Sequence, residues 1–223
     1  MKKYLRFVFL LLKQNFKTIY FNFKYFPFRQ AMVFPVRLSN KVYLRTVKGR
    51  IVLDCAVQTG MIRIGFKDVG IFDEKVSRSI WDVSGIVVFR GNAVIGHGSK
   101  ISVGPEGKLV FGENFKITAE SSIVAFTEIE FGKDCLLSWD ILVMDTDFHV
   151  IKDSENRILN TPKKILVGDK VWIGCRSLIL KGSTIPANSI IGANAVISKI
   201  LDKENAVYAG NPVKLLKENV SWE

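Results

Sequence analysis

The C-terminal half of the chain keeps a six-residue beat. Val167, Ile173, Ile179, Ile185, Ile191 and Ile197 stand six apart, and four residues after each of the first five come Val171, Ser177, Ser183, Ser189 and Ala195. A helical period of about 3.6 does not fit this spacing. Side chains alternate faces along a strand, so positions one and five of each hexad point the same way and set a large aliphatic and a mostly small residue inward. Gly168, Gly174 and Gly192 follow three of the aliphatics, where the backbone must bend between short strands. Such a chain coils, and each coil buries its aliphatics only by stacking on the next.

Upstream the beat continues with lapses. Phe131, Leu137 and Val143 keep it, with Cys135 and Ile141 at the inward fifth position, and Phe111, Ile117, Ile123 and the pair Ile95 and Ile101 form earlier runs. The phase slips near Gly104-Pro105-Glu106-Gly107 and near Glu128, where corner insertions are expected. Upstream of about residue 90 the pattern degrades, although GRIVLD and MIRIGFKDVGIF still read as strands. The expectation is an all-β solenoid over 50–208, an arm over 1–49, and a tail over 209–223. In the tail, Asn211-Pro212 reads as the cap and first-turn proline of a short helix, PVKLLKENV. Between Val143 and Val167 the sequence MDTDFHVIKDSENRILNTPKKIL loses the beat, and its polar KDSENR is turn-like. A coil corner is therefore expected to be pushed out as a loop at about 144–166, and loops on a rigid scaffold are where chemistry is usually placed.

Charge changes the picture only at the N-terminus. Of 32 Lys and Arg in 223 residues, twelve fall in residues 1–50, where no Asp or Glu occurs, and the same stretch holds twelve of the 25 aromatics. FVFLLL is too short for a secretory signal and runs into Lys13, and no stretch is long and apolar enough to span a bilayer. A basic, aromatic segment suits peripheral contact with an anionic membrane through residues 1–30. The competing reading packs these aromatics against the body or a neighbouring subunit. Nucleic acid is disfavoured because no recognisable binding module accompanies the bases. Cys55, Cys135 and Cys175 are odd in number and without ligand spacing, so no zinc site and no disulfide framework is expected, and the expected location is the cytoplasm.

The chain has two histidines, His97 and His149. His149 lies in the outward loop with Asp145 and Asp147 close by. An imidazole suits removal of a proton from a hydroxyl near neutral pH, and a carboxylate on its far nitrogen would orient it. Spacing does not choose between Asp145 and Asp147. His97, in IGHGS, falls at an outward repeat position and is expected on the surface. Trp139, in LLSWD, also points outward, to stack on a sugar ring or to bury at a subunit contact.

The run VWIGCRSLILKGSTIPANSIIGANAVISK, the following AVYAGNPVKLLKE, and DTDFH ahead of GDKVWIG resemble the hexapeptide-repeat acyltransferase family, in particular the sugar O-acetyltransferases of bacterial surface-polysaccharide synthesis. The resemblance covers about residues 85–219. It implies a left-handed parallel β-helix, a homotrimer, acetyl-CoA as co-substrate, no metal, and direct transfer of acetyl to a glycan hydroxyl with His149 as base. It places Trp172 in the reaction pocket and CoA along Cys175, Ala193, Ser198, Lys199 and Lys214. The family often has Ser or Gly at Cys175 and Arg at Lys214, so this chain departs from the pattern there. A β-helical carbonic anhydrase would need three histidines; a sugar-nucleotidyltransferase would need a Gly-rich nucleotide domain; a serine acetyltransferase would need a large helical N-terminal domain. A non-catalytic scaffold of the same fold, or an acetyltransferase acting on a small non-sugar acceptor, is the alternative.

Overall fold

The computed structural model describes residues 14–66 and 69–223. Twenty-two strands, β1–β22 in chain order, form three sheets of nine, seven and six strands. From β1 to β17 each strand pairs in parallel with the one three places on, as in β7 (Ala93–His97) with β10 (Phe115–Ala119) and β10 with β13 (Leu136–Trp139). The chain thus visits face A, face B and face C in turn and closes a triangular prism, whose interior is filled by the inward hexad positions. Ile173, Ile179, Ile185, Ile191 and Ile197, and behind them Val171, Ser177, Ser183, Ser189 and Ala195, are all buried. The expected in/out phase therefore holds along the strict half.

The upper and lower coils differ in girth. Ile173 and Ile191 are register partners 18 residues apart, whereas Ile95, Ile117 and Leu137 are partners at intervals of 22 and 20. The extra interior is filled by aromatics: Phe89 and Phe111 stack at 5.1 Å, Phe111 and Phe131 at 6.1 Å, and Phe115 tilts against Phe131 at 4.9 Å.

Strand pairing begins within the stretch read as arm, since β1 (Val36–Leu38) already pairs with β4 (Ile62–Ile64). Ahead of it, helix α1 (Phe16–Tyr25), capped by Asn15, lies against β1. The Asn22 amide donates to the carbonyl of Val36 (2.7 Å) and accepts from its N–H (3.2 Å), while the Thr18 hydroxyl accepts from the N–H of Leu38 (2.9 Å). Two polar side chains thus occupy the open edge of the first strand, which would otherwise invite pairing with another chain. Phe21, Phe26 and Phe34 are buried, and Trp81 donates to the Tyr25 hydroxyl at 3.1 Å. These arm aromatics pack on the body, while Phe16, Tyr20, Phe23 and Phe28 stay exposed. Residues 1–13 of the 1–30 segment read as membrane-seeking lie outside the described residues.

Two expectations are corrected. The tail forms no helix: Lys214–Lys217 is strand β22, antiparallel to β21 (Val207–Ala209). The prism ends at β21 with a free row of backbone donors and acceptors, and pairing the tail there satisfies them, which outweighs the helical look of the sequence. His97 is buried, not exposed. In a 22-residue coil the face-A strand runs on to His97, which has the same parity as Ile95, and the neighbouring corner covers it. Its Nε2 lies 2.7 Å from the Ser77 hydroxyl, which donates to Glu120 at 2.5 Å. Burial pushes the Glu120 carboxyl up, but its bonds from Lys100 and Ser77 outweigh this and hold it below the usual carboxylate range.

Candidate active site

The beat breaks between β14 (Leu142–Met144) and β15 (Ile165–Val167). β14 ends face B, β15 opens face C, and the residues between leave the prism at the corner where B meets C. Asp145 is the root of this loop. It is fully buried, and its two oxygens accept from the N–H groups of Phe126 (2.7 Å) and Thr127 (2.8 Å) at the same corner one coil below. Burial pushes its carboxyl above the ordinary value, against the pull of those bonds. Asp145 therefore fastens the loop to the scaffold and makes no contact with the imidazole.

Asp147 is exposed and held by two donors, the Lys181 ammonium and the Asn160 amide (2.8 Å). These bonds, that from Lys181 foremost, hold its carboxyl below the usual range. Asn160 closes the neck of the loop: its amide also donates to the carbonyl of His149 (2.7 Å), and its side-chain oxygen accepts from the N–H of Ile151 (2.6 Å). The N–H of His149 donates to the carbonyl of Asp147 at 2.7 Å. Phe148 adopts the left-handed region (φ 62°) and rests edge-on against Phe126, with ring centroids 4.9 Å apart. The backbone of His149 is thus clamped on both sides while its ring is exposed, with no hydrogen-bond or ion-pair partner among the described residues. Neither candidate carboxylate touches the imidazole. The sequence reading missed Asn160 and Lys181, whose partners lie too far along the chain for any periodicity to reveal.

Trp172 sits elsewhere. It points outward from β16 (Trp172–Ile173) on face A, which is opposite the corner that emits the loop. Its indole N–H donates to the Ser138 hydroxyl at 3.1 Å, and its ring lies 6.2 Å from that of Trp222. One chain therefore does not bring Trp172 and His149 together. Trp139 ends β13 at the A–B corner, partly buried, and its carbonyl accepts from the N–H of Arg176 at 3.0 Å.

The five residues expected to hold CoA fall into two groups. Cys175 and Ala193 are stacked at the A–B corner of successive coils, where the N–H of Asn194 donates to the carbonyl of Cys175 at 3.0 Å. Ser198 and Lys199 lie at the B–C corner. Lys199 and Lys214 line one cleft of about 500 Å³ at the C-terminal end of the prism, beside Asp202 and Tyr208. Neither lysine is ion-paired among the described residues, and two free ammonium groups on one cleft fit a phosphate-bearing end. No cluster of three or more His, Cys, Asp or Glu able to hold a metal occurs among the described residues.

A triangular prism of parallel strands wound on a six-residue beat is a left-handed parallel β-helix of the hexapeptide-repeat class. In sequence the chain is similar to curated O-acetyltransferases. It is 30% identical over 135 residues to a polysialic acid O-acetyltransferase of Escherichia coli, a match covering 60% of this chain and 41% of that protein. It is 38% identical over 104 residues to a polysialic acid O-acetyltransferase of Neisseria meningitidis, covering 46% of this chain and 48% of that one. The chain thus spans less than half the length of these two curated relatives. Among solved structures, a galactoside acetyltransferase in complex with coenzyme A superposes with a TM-score of 0.50 at 26% identity, over 60% of this chain and 64% of the other. No protein-family model matches the chain.

Proposed function

We propose that the protein transfers acetyl from acetyl-CoA to a sugar hydroxyl of a bacterial surface polysaccharide. The observation that carries this reading is the clamped loop, which fixes the backbone of His149 and leaves its ring free for a substrate. The acceptor oxygen attacks the thioester carbonyl as His149 takes its proton. The new C–O bond forms, the C–S bond breaks, and the proton passes from the imidazolium to the departing thiolate. A positioned base of this kind is worth about 10²–10⁴ in rate. Asp147 acts with Lys181 and Asn160 as the loop's clamp, and Asp145 as its root, so both position His149 through the backbone.

A homotrimer belongs to the same reading. Because face A lies opposite the loop's corner, Trp172 can line a pocket with His149 only across a boundary between chains. The relatives named as polysialic acid O-acetyltransferases and the neighbour holding coenzyme A support this reading. The test is thiol release from acetyl-CoA with a panel of sugars and glycans. The expected result is acceptor-dependent release that falls at least 100-fold in His149→Ala, within the range for loss of a general base. Undiminished turnover in that variant would end the assignment.

A further inference from the structure

The three faces treat their outward charges differently. At faces B and C four outward cations are matched: Arg45 lies 3.7 Å from Asp82, Lys100 2.7 Å from Glu120, Lys108 2.7 Å from Glu128, and Arg90 2.5 Å from Glu130. Face A is not matched. One register column there runs Arg37, Arg63, Val94, Lys116, Leu136, Trp172 across adjacent strands. No Asp or Glu occupies an outward strand position on this face, and Arg37, Arg63 and Lys116 have no carboxylate partner among the described residues. The two guanidinium groups instead sit 6.0 and 5.3 Å from the Phe66 ring centroid. With strands about 4.8 Å apart, the column is about 24 Å long, far more than a single sugar needs.

The column ends beside a cleft. Lys116, Lys170, Asn114 and Trp222 line about 470 Å³ of open volume at the C–A corner. The Trp222 indole is fixed by donating to the carbonyl of Lys170 at 2.8 Å, and its ring continues the surface begun by Trp172. The lining carboxylate, Asp134, already accepts from the Asn114 amide at 3.0 Å, whereas neither lysine has an ion-pair partner among the described residues. Indole faces suit the C–H face of a pyranose ring, and free ammonium and guanidinium groups suit carboxylate or phosphate.

We propose that face A is a binding track for an anionic polysaccharide, running from Arg37 and Arg63 past Lys116 and Lys170 to Trp172 and Trp222. This rests on the acetyl-transfer reading and names its acceptor class: a polymer with carboxylate or phosphate on its sugars, held along the prism so that one hydroxyl reaches the pocket at Trp172. The track ends at the residue placed in that pocket, which favours a glycan over other polyanions.

The test separates binding from turnover. The full chain is run by affinity electrophoresis through gels holding polysialic acid, its carboxyl-reduced neutral form, single-stranded RNA, or vesicles with one-third phosphatidylserine, and thiol release is followed in parallel. Retardation is expected in polysialic acid and not in the neutral polymer, and it should weaken as salt rises. The paired reversal Arg37→Glu/Lys116→Glu should weaken binding at least tenfold. The same change on the far side, Lys48→Glu/Arg50→Glu, should weaken it less than twofold. Lys116→Gln, a neutral change at an outward position, should weaken it about threefold and guards against a fold defect in the reversal, as does an unchanged melting temperature. Equal losses in the two paired reversals, equal retardation by the neutral polymer, or equal retention by RNA or vesicles through the same residues would overturn the track. Polymer bound through face A with no thiol release from any acceptor would leave the track standing and remove the acetyl-transfer reading. Release with neutral sugars alone would do the reverse.

Discussion

The lower coils of the prism and the upper ones solve the same problem with different chemistry. Below the loop, coils of 22 and 20 residues are filled by a ladder of phenylalanines. Above it, the 18-residue coil leaves room inside for little more than one aliphatic and one small residue per side. Serine fills the small place: the buried Ser177 hydroxyl donates to the carbonyl of Gly192 at 3.1 Å, and that of Ser183 to the carbonyl of Leu180 at 2.6 Å. Girth decides the filler. A wide coil needs bulk and tolerates irregular spacing, while a narrow coil admits one spacing alone. The loop leaves at the junction, fastened by hydrogen bonds, charge and the single contact of Phe148 with Phe126.

The largest effect should come from emptying the wide half. Phe111 touches the aromatic rung above and the one below, so Phe111→Ala leaves a cavity that its stacked neighbours cannot close. A loss of about 3–5 kcal/mol is expected by denaturant unfolding. A loss under about 1 kcal/mol would mean that the aromatic ladder is not what holds the wide coils. The root of the loop should come next. Asp145→Ala strips two partly buried N–H groups of their acceptor, at a cost of about 1–3 kcal/mol per buried orphan, discounted here for partial access to water. A summed loss of about 2–3 kcal/mol is expected, with weaker acetyl transfer from a slackened loop. Full stability in this variant would return Asp145 to the candidate orienters of the imidazole.

The same contrast explains what could be read from the sequence. Where the coil has 18 residues, every hexad repeats the same in/out choice, so Val167 to Ile197 announce the fold and the break before Val167 announces the loop. In the wide half, extra residues lengthen the strands and shift the parity of the positions downstream. That is why His97, two residues after Ile95 on a strand that runs on past the hexad, turned inward against expectation. The tail misled for another reason: Leu215 and Leu216 suit a helix or a strand, and the open edge at β21 decides between them. Asn160, Lys181 and Trp222 were invisible because their roles rest on partners 9 to 52 residues away. His149 stood out because the chain has one other histidine and the loop carries only this one.

In the narrow half the effect of a single substitution should be smaller. Ser183→Ala removes a hydroxyl that bonds the carbonyls of Leu180 and Ile197 (3.0 Å) yet leaves almost no cavity. The expected loss is about 1 kcal/mol, the net worth of an ordinary hydrogen bond. Ser183→Val should cost more than Ser183→Ala because the narrow interior has no room for a second branched side chain. The reverse order would show that the narrow coils are underfilled and that girth does not choose the residue.

The smallest effect belongs to the loop's outer clamp, and pH is the way to read it. The Asp147 carboxyl is held below its ordinary value chiefly by Lys181, so the clamp's contribution is present above the unfolded-state value of about 3.9 and is lost only as pH falls through the lower folded value. Asp147 is exposed, so salt will weaken the clamp as well. The N–H groups of His149 and Ile151, bonded within the neck, report on it directly by hydrogen exchange. Their protection, corrected for the intrinsic exchange rate, should stay level from about pH 7 to about 4 and fall below that. Asp147→Asn should lower protection at about pH 7 and flatten its dependence on pH, while the buried amides of the prism above and below stay unchanged. Protection of those two amides that already fades between about pH 6 and 5 would show that a group other than Asp147 closes the neck, and the clamp would lose its place in fixing the backbone of His149.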